Sequence, residues 1–71
     1  MKNFEHAAEV LSGLMEAQGL TAAELSRRTE IDAGILRAIM TGRQKNISTR
    51  NVMTLARYFG MSMQEFIEKV H

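Results

Sequence analysis

A chain of 71 residues, 45% hydrophobic and 24% charged, has the length of one domain and the composition of a globular one. It has no Cys, which excludes thiol catalysis, thiolate zinc sites, iron–sulfur clusters and disulfide support for a core that buries only about 60% of its unfolded surface. The net charge of +1 hides a division: residues 1–20 carry −2, residues 21–50 carry +3 and residues 51–71 carry zero.

In chain order, the apolar spacing predicts five helices, over about 4–18, 21–29, 32–41, 48–59 and 62–70. The first puts Phe4, Ala7, Ala8, Leu11, Leu14 and Met15 on one face, with Asn3 as a weak N-cap and Gly19 as the stop. The second opens on Thr21-Ala22-Ala23-Glu24, a capping box in which hydroxyl and carboxylate satisfy orphan amides reciprocally. Asp32 caps the third, which turns Leu36 and Ile39 inward and leaves Ala33, Arg37, Ala38 and Thr41 largely outward, ending at Gly42. Ser48 caps the fourth, whose inner face is Val52, Leu55, Ala56 and Phe59, and Gly60 ends it. Ser62-Met63-Gln64-Glu65 is a second capping box and opens the fifth. Apolar pairs at staple spacing flank four of these starts: Leu20 with Leu25, Ile31 with Leu36, Ile47 with Val52, Met61 with Phe66. Nothing alternates with period two, so the expected class is all-α with no sheet. No apolar run approaches the roughly 18–20 residues of a membrane span and no signal-peptide layout opens the chain, so a cytoplasmic domain without membrane contact is expected.

Helices 2 and 3 are joined only by Glu30, Ile31 and the cap Asp32, the layout of a helix-turn-helix, whose second helix lies in a DNA major groove. Arg37, Arg43, Lys45 and Arg50 follow with no acid between them, a patch suited to a polyanion. The run Leu20-Thr21-Ala22-Ala23-Glu24-Leu25-Ser26, then Ile31, Asp32, Leu36, Ile39 and Gly42, resembles the Cro and phage-repressor type of helix-turn-helix regulator, the Xre family. Ile47-Ser48, Val52, Leu55-Ala56 and Phe59-Gly60-Met61-Ser62 through Phe66 continue the likeness over residues 4 to about 67. The resemblance implies a compact five-helix lambda-repressor-like domain that binds operator DNA as a dimer.

The chain departs from that family at informative places. Glu30 stands where the family's turn usually has Gly, at a cost on the order of 1 kcal/mol if φ is positive. The loop between Gly42 and Ser48 is a residue longer than the common pattern and lacks its proline. Met15 and Met40 occupy positions where many members pair a late helix-1 Arg with a Glu ending helix 3. Losing one partner of a buried ion pair costs about 3–5 kcal/mol, whereas replacing both by apolar groups is often neutral. The double change therefore predicts a Met–Met contact in the core.

By this resemblance the base-reading positions are Ala33, Gly34, Arg37, Ala38 and Thr41. Ala33 and Gly34 carry no hydrogen-bonding side chain, so Arg37 is the main candidate reader, through a bidentate contact with guanine. DNA-backbone contacts are assigned to the amides of Thr21 and Ala22 and of Thr49 and Arg50 at two helix starts, and to Arg28, Arg43, Gln44 and Lys45. With so few readers, DNA shape is expected to supply much of the specificity. His6 and His71 are isolated, so no metal is expected, nor a cofactor or an enzyme activity. Tyr58, Met63, Phe66, Ile67 and Val70 are more apolar than the end of a small monomer needs and are the expected dimer surface. The first reading is a homodimeric regulator placing two recognition helices about 34 Å apart on a two-fold operator and acting as a repressor at the nucleoid of a bacterial or phage-infected cell. An antitoxin with a toxin-binding surface, a restriction–modification controller, and a protein-interaction module that has lost DNA binding are the alternatives.

Overall fold

All five expected helices form, and what positions them is largely the chemistry of their starts. The computed structural model describes residues 2–71, Lys2 by its backbone alone. Its elements are β1 (Lys2–Asn3), α1 (Ala7–Ala17), α2 (Ala22–Thr29), α3 (Ala33–Met40), β2 (Asn46–Ile47), α4 (Thr49–Tyr58) and α5 (Met63–Val70). Both capping boxes close. The Thr21 hydroxyl accepts from the Glu24 N–H at 3.1 Å while the Glu24 carboxylate accepts from the Thr21 N–H at 2.9 Å. Ser62 and Glu65 repeat the pattern at 3.1 and 3.0 Å. Asp32 accepts from the Gly34 N–H at 2.6 Å and Ser48 from the Asn51 N–H at 3.2 Å. Each such cap contributes about 1 kcal/mol.

The turns follow the same logic. Gly19, Gly42 and Gly60 all take left-handed backbone after a last turn. Glu30 does so too, with φ +62°, so the turn between α2 and α3 keeps the shape a glycine would give it and bears the side chain's strain.

The first helix is shorter than its apolar face predicts. Asn3 caps nothing; it pairs with Asn46 while Lys2 pairs with Ile47, in an antiparallel ribbon of two residues a side. The N–H of Phe4 donates to the Lys45 carbonyl at 2.7 Å and that of His6 to the Val70 carbonyl at 2.9 Å. Residues 2–6 thus satisfy their amides across the molecule instead of along a helix, and α1 starts at Ala7 with no side-chain cap. This ribbon is the one element outside the expected map, and the class remains all-α.

The core joins every helix. Leu11 and Met15 of α1, Leu25 of α2, Leu36 and Ile39 of α3, Val52 and Leu55 of α4, and Phe66 and Val70 of α5 are fully buried. α1 packs on α3 and α5, and α4 on α5 and α2. Met40 packs, partly buried, against the cluster that contains Met15, so the two positions that often hold a charge pair in relatives here carry apolar packing. Phe66 and Val70 correct the expected dimer surface: with no exposure at all they are core, because α5 turns them under α1 and α4. Met63 and Ile67, also expected there, remain partly accessible. No helix among the described residues is long and apolar enough to cross a membrane.

Candidate nucleic-acid interface

Leu36 and Ile39 anchor α3 by its inner face, which fixes what its outer face presents. Gly34, Arg37 and Thr41 are exposed and Ala33 and Ala38 half-buried, so the five expected reading positions share the accessible side of one short helix. They differ in chemistry. Arg37 has no carboxylate or hydrogen-bond partner among the described residues, leaving its guanidinium fork available. Thr41 spends its hydroxyl proton on the Arg37 and Ala38 carbonyls at 2.9 and 3.3 Å. It also accepts from Arg43 Nε at 3.4 Å, which ties the loop cation to the end of α3. At Gly34 a β-carbon would come within 3.0 Å of the Asp32 carboxylate oxygen, so the bare backbone there also makes room for the cap.

The loop from Gly42 to Ile47 is held from both sides. The Gln44 N–H donates to the Ala38 carbonyl at 3.0 Å and its side-chain amide to the Asn46 carbonyl at 3.0 Å. Gln44 thus braces the loop, with the second N–H of its side-chain amide making no hydrogen bond among the described residues. The Lys45 ammonium lies 3.6 Å from the Glu5 carboxylate, both groups more than half exposed. A pair so exposed contributes at most about 1 kcal/mol and exchanges readily for another anion. Glu5 and the ribbon escaped the sequence reading because two residues are too few to show an alternation.

Two helix starts were expected to offer amides to phosphate, and they differ. At α2 the Thr21 N–H is occupied by Glu24, so of the expected pair only the Ala22 amide is left, beside a carboxylate. The hydrogen bond from the Thr21 N–H, with the Thr21 hydroxyl second and the Arg27 and Arg28 charges last, holds the Glu24 carboxyl below the usual carboxylate range, against a small opposing effect of burial. At α4 there is no acid in the first turn, Ser48 takes only the Asn51 N–H, and Thr49 and Arg50 keep theirs.

A helix-turn-helix with an open cationic face on its second helix and a basic loop leading to a helix start free of acid is the local anatomy. The family comparison agrees with it: a model for the Cro/C1-type HTH DNA-binding domain matches residues 10–70. The chain belongs to that family. A comparison with curated proteins and one with solved structures each find no match.

In this Cro/C1-type domain Arg28, an expected backbone contact, also makes a bond within the fold. Arg28 Nη1 donates to the Tyr58 hydroxyl at 3.1 Å, joining the far ends of α2 and α4. Tyr58 in turn meets Phe59 edge to face, ring centroids 5.0 Å apart. The bond uses one of the five guanidinium donors, so the exposed Arg28 keeps the others, and Tyr58 stays half-buried. No local pattern links positions 28 and 58, so only the packing of α2 on α4 reveals the pair.

Proposed function

We propose that this domain is a sequence-specific transcriptional regulator that binds operator DNA as a homodimer and represses by occupancy. The observation that carries the reading is the open face of α3 and its continuation: Arg37, then Arg43, Lys45 and the start of α4 follow one another with no acid among them. Arg37 is the direct reader, Ala33 and Ala38 offer methyl contact to thymine, and Gly34 lets the backbone approach the base edges. Arg43, Lys45 and Arg50, with the Thr49 and Arg50 amides, hold phosphates. Lys45 exchanges Glu5 for a phosphate on binding, and Gln44 keeps the loop in shape.

Specificity then divides between one arginine per half-site and the shape of the DNA beneath small side chains. Met63 and Ile67 are too small a surface for a stable dimer, since standard interfaces bury about 800 Å² per partner. Assembly of two copies on the operator follows, with α5 at the two-fold axis and the DNA supplying most of the ordering. Its place of work is the nucleoid of a bacterial or phage-infected cell.

A selection from random duplexes at physiological salt tests this. A two-fold-symmetric site with half-sites about one helical turn apart is the expected product. The affinity for that site should fall steeply with salt, with a log–log slope of about −0.9 per neutralised phosphate. Recovery of no preferred sequence would remove the regulator reading.

A further inference from the structure

We propose that the surface where the C-terminal ends of α2 and α4 meet is a docking site for an acidic protein segment anchored by an apolar side chain. A depression of about 310 Å³ opens there, lined by Arg28, Thr29, Met53, Thr54, Arg57 and Tyr58. Met53 is 46% exposed, the single large apolar side chain so exposed among the described residues. It lies among cations: Arg28 and Arg57 border the depression and the exposed Arg27 precedes Arg28 on α2.

No carboxylate lines this depression, and neither Arg28 nor Arg57 has an ion-pair partner among the described residues. Glu24, one turn before Arg28 on α2, feels the Arg27 and Arg28 charges, and Glu30 and Asp32 line the adjoining depression together with Arg50. Arg28 spends one guanidinium N–H on Tyr58 and keeps the other four of its five donors. Exposed Met beside Arg and Tyr is the composition of a protein interface, where a flexible thioether moulds to an apolar anchor and arginines hold carboxylates around it.

The occupant follows from charge and from place. Arginines without an ion-pair partner around an apolar floor complement a segment that carries acids on either side of a Leu or Phe. Nucleic acid fits less well. The helix start that faces phosphate in the reading above is at the other end of α4, and the start of α2 is likewise at its far end. At 1.5 Å rise per residue the lining residues lie roughly 10 Å further along α2 and roughly 6–13 Å further along α4. The docking surface stands on its own geometry and does not require α3 to read DNA.

The test uses the full chain, isotope-labelled for NMR, titrated with a synthetic peptide of Asp and Glu flanking a Leu-Phe pair. One control peptide replaces that pair by Ala, and the other replaces the acids by their amides. The parent peptide is expected to bind saturably and to shift the resonances of Arg28, Thr29, Met53, Thr54, Arg57 and Tyr58. Both controls are expected to bind at least about tenfold more weakly, as loss of an anchor or of a charge set at an interface does. A double variant Arg28→Gln, Arg57→Gln should weaken the parent peptide by about tenfold, and Met53→Ser by a smaller factor with duplex binding unchanged. The proposal is overturned by any of four results: no saturable binding, equal binding of the all-acid control, shifts centred on Arg37 to Arg50, or an unaltered double variant. Concentration-dependent shifts at the same residues without peptide would also overturn it, because the occupant would then be a second copy of the chain.

Discussion

The starts of α2 and α4 look alike at first sight, each with a hydroxyl N-cap preceded by an apolar residue and a buried apolar residue at the fourth helical position. Their difference lies in the third residue of each helix. At α2 it is Glu24, whose carboxylate returns to the Thr21 N–H and closes the helix end to anions. At α4 it is Asn51, which leaves the Thr49 and Arg50 amides open beside the Arg50 guanidinium. One helix start is sealed and the other left open. The same local device, an N-cap, serves both, and a single charged side chain decides which.

That contrast can be broken most completely from below. Leu25 is fully buried at the fourth position of α2, and Leu25→Ala should cost about 2–5 kcal/mol in urea unfolding, loosening both helix starts because α2 packs on α3 and α4. A second comparison separates reading from holding. Arg37→Ala should lose about 1–3 kcal/mol of discrimination at one base pair per half-site. Arg50→Ala should instead weaken all duplexes alike and reduce the salt slope by about 0.9 per site. Binding selections and salt titrations on both variants distinguish the two outcomes, and a uniform loss in Arg37→Ala would move the reading function to the loop.

Smaller effects sharpen the picture. Glu30→Gly should raise stability by up to about 1 kcal/mol, the left-handed strain relieved less the entropy of a glycine in the unfolded chain, as a higher urea midpoint shows. Glu24→Gln keeps an acceptor for the Thr21 N–H and removes only the charge. Because the folded carboxyl lies below its usual range, its contribution to stability is complete above the ordinary carboxylate pKa and is lost as pH falls through the folded value. In the variant that stretch of acid sensitivity should shrink, and affinity for duplex should rise slightly as the start of α2 loses its anion. Acid unfolding followed by circular dichroism, and a binding titration at neutral pH, check the two halves.

The parts of the fold legible in the sequence are those fixed by neighbours three or four residues apart. Thr21 with Glu24 and Ser62 with Glu65 announced their capping boxes, and Gly19, Gly42 and Gly60 their left-handed stops. The outward face of α3 was legible for the same reason, since Leu36 and Ile39 fix its rotation. The contacts that the sequence did not show mostly join residues far apart in the chain. Asn3 pairs with Asn46 instead of capping a helix, Arg28 meets Tyr58, and Phe66 and Val70 turn under α1 and α4. Gln44 is the exception, a short-range brace whose side chain reaches only to Asn46.

The sequence by itself determined five helices, their boundaries to within one residue at all but the first, the helix-turn-helix and the cationic run that follows it. Local hydrogen bonds and helical periodicity act over one or two turns, so a linear pattern contains them. Only the tertiary structure decided which apolar residues of α5 are core, which amides of the helix starts stay open and which arginines are drawn together around Met53. Those outcomes depend on which surfaces meet when α2, α4 and α5 pack, and no spacing along the chain encodes the meeting of side chains thirty residues apart.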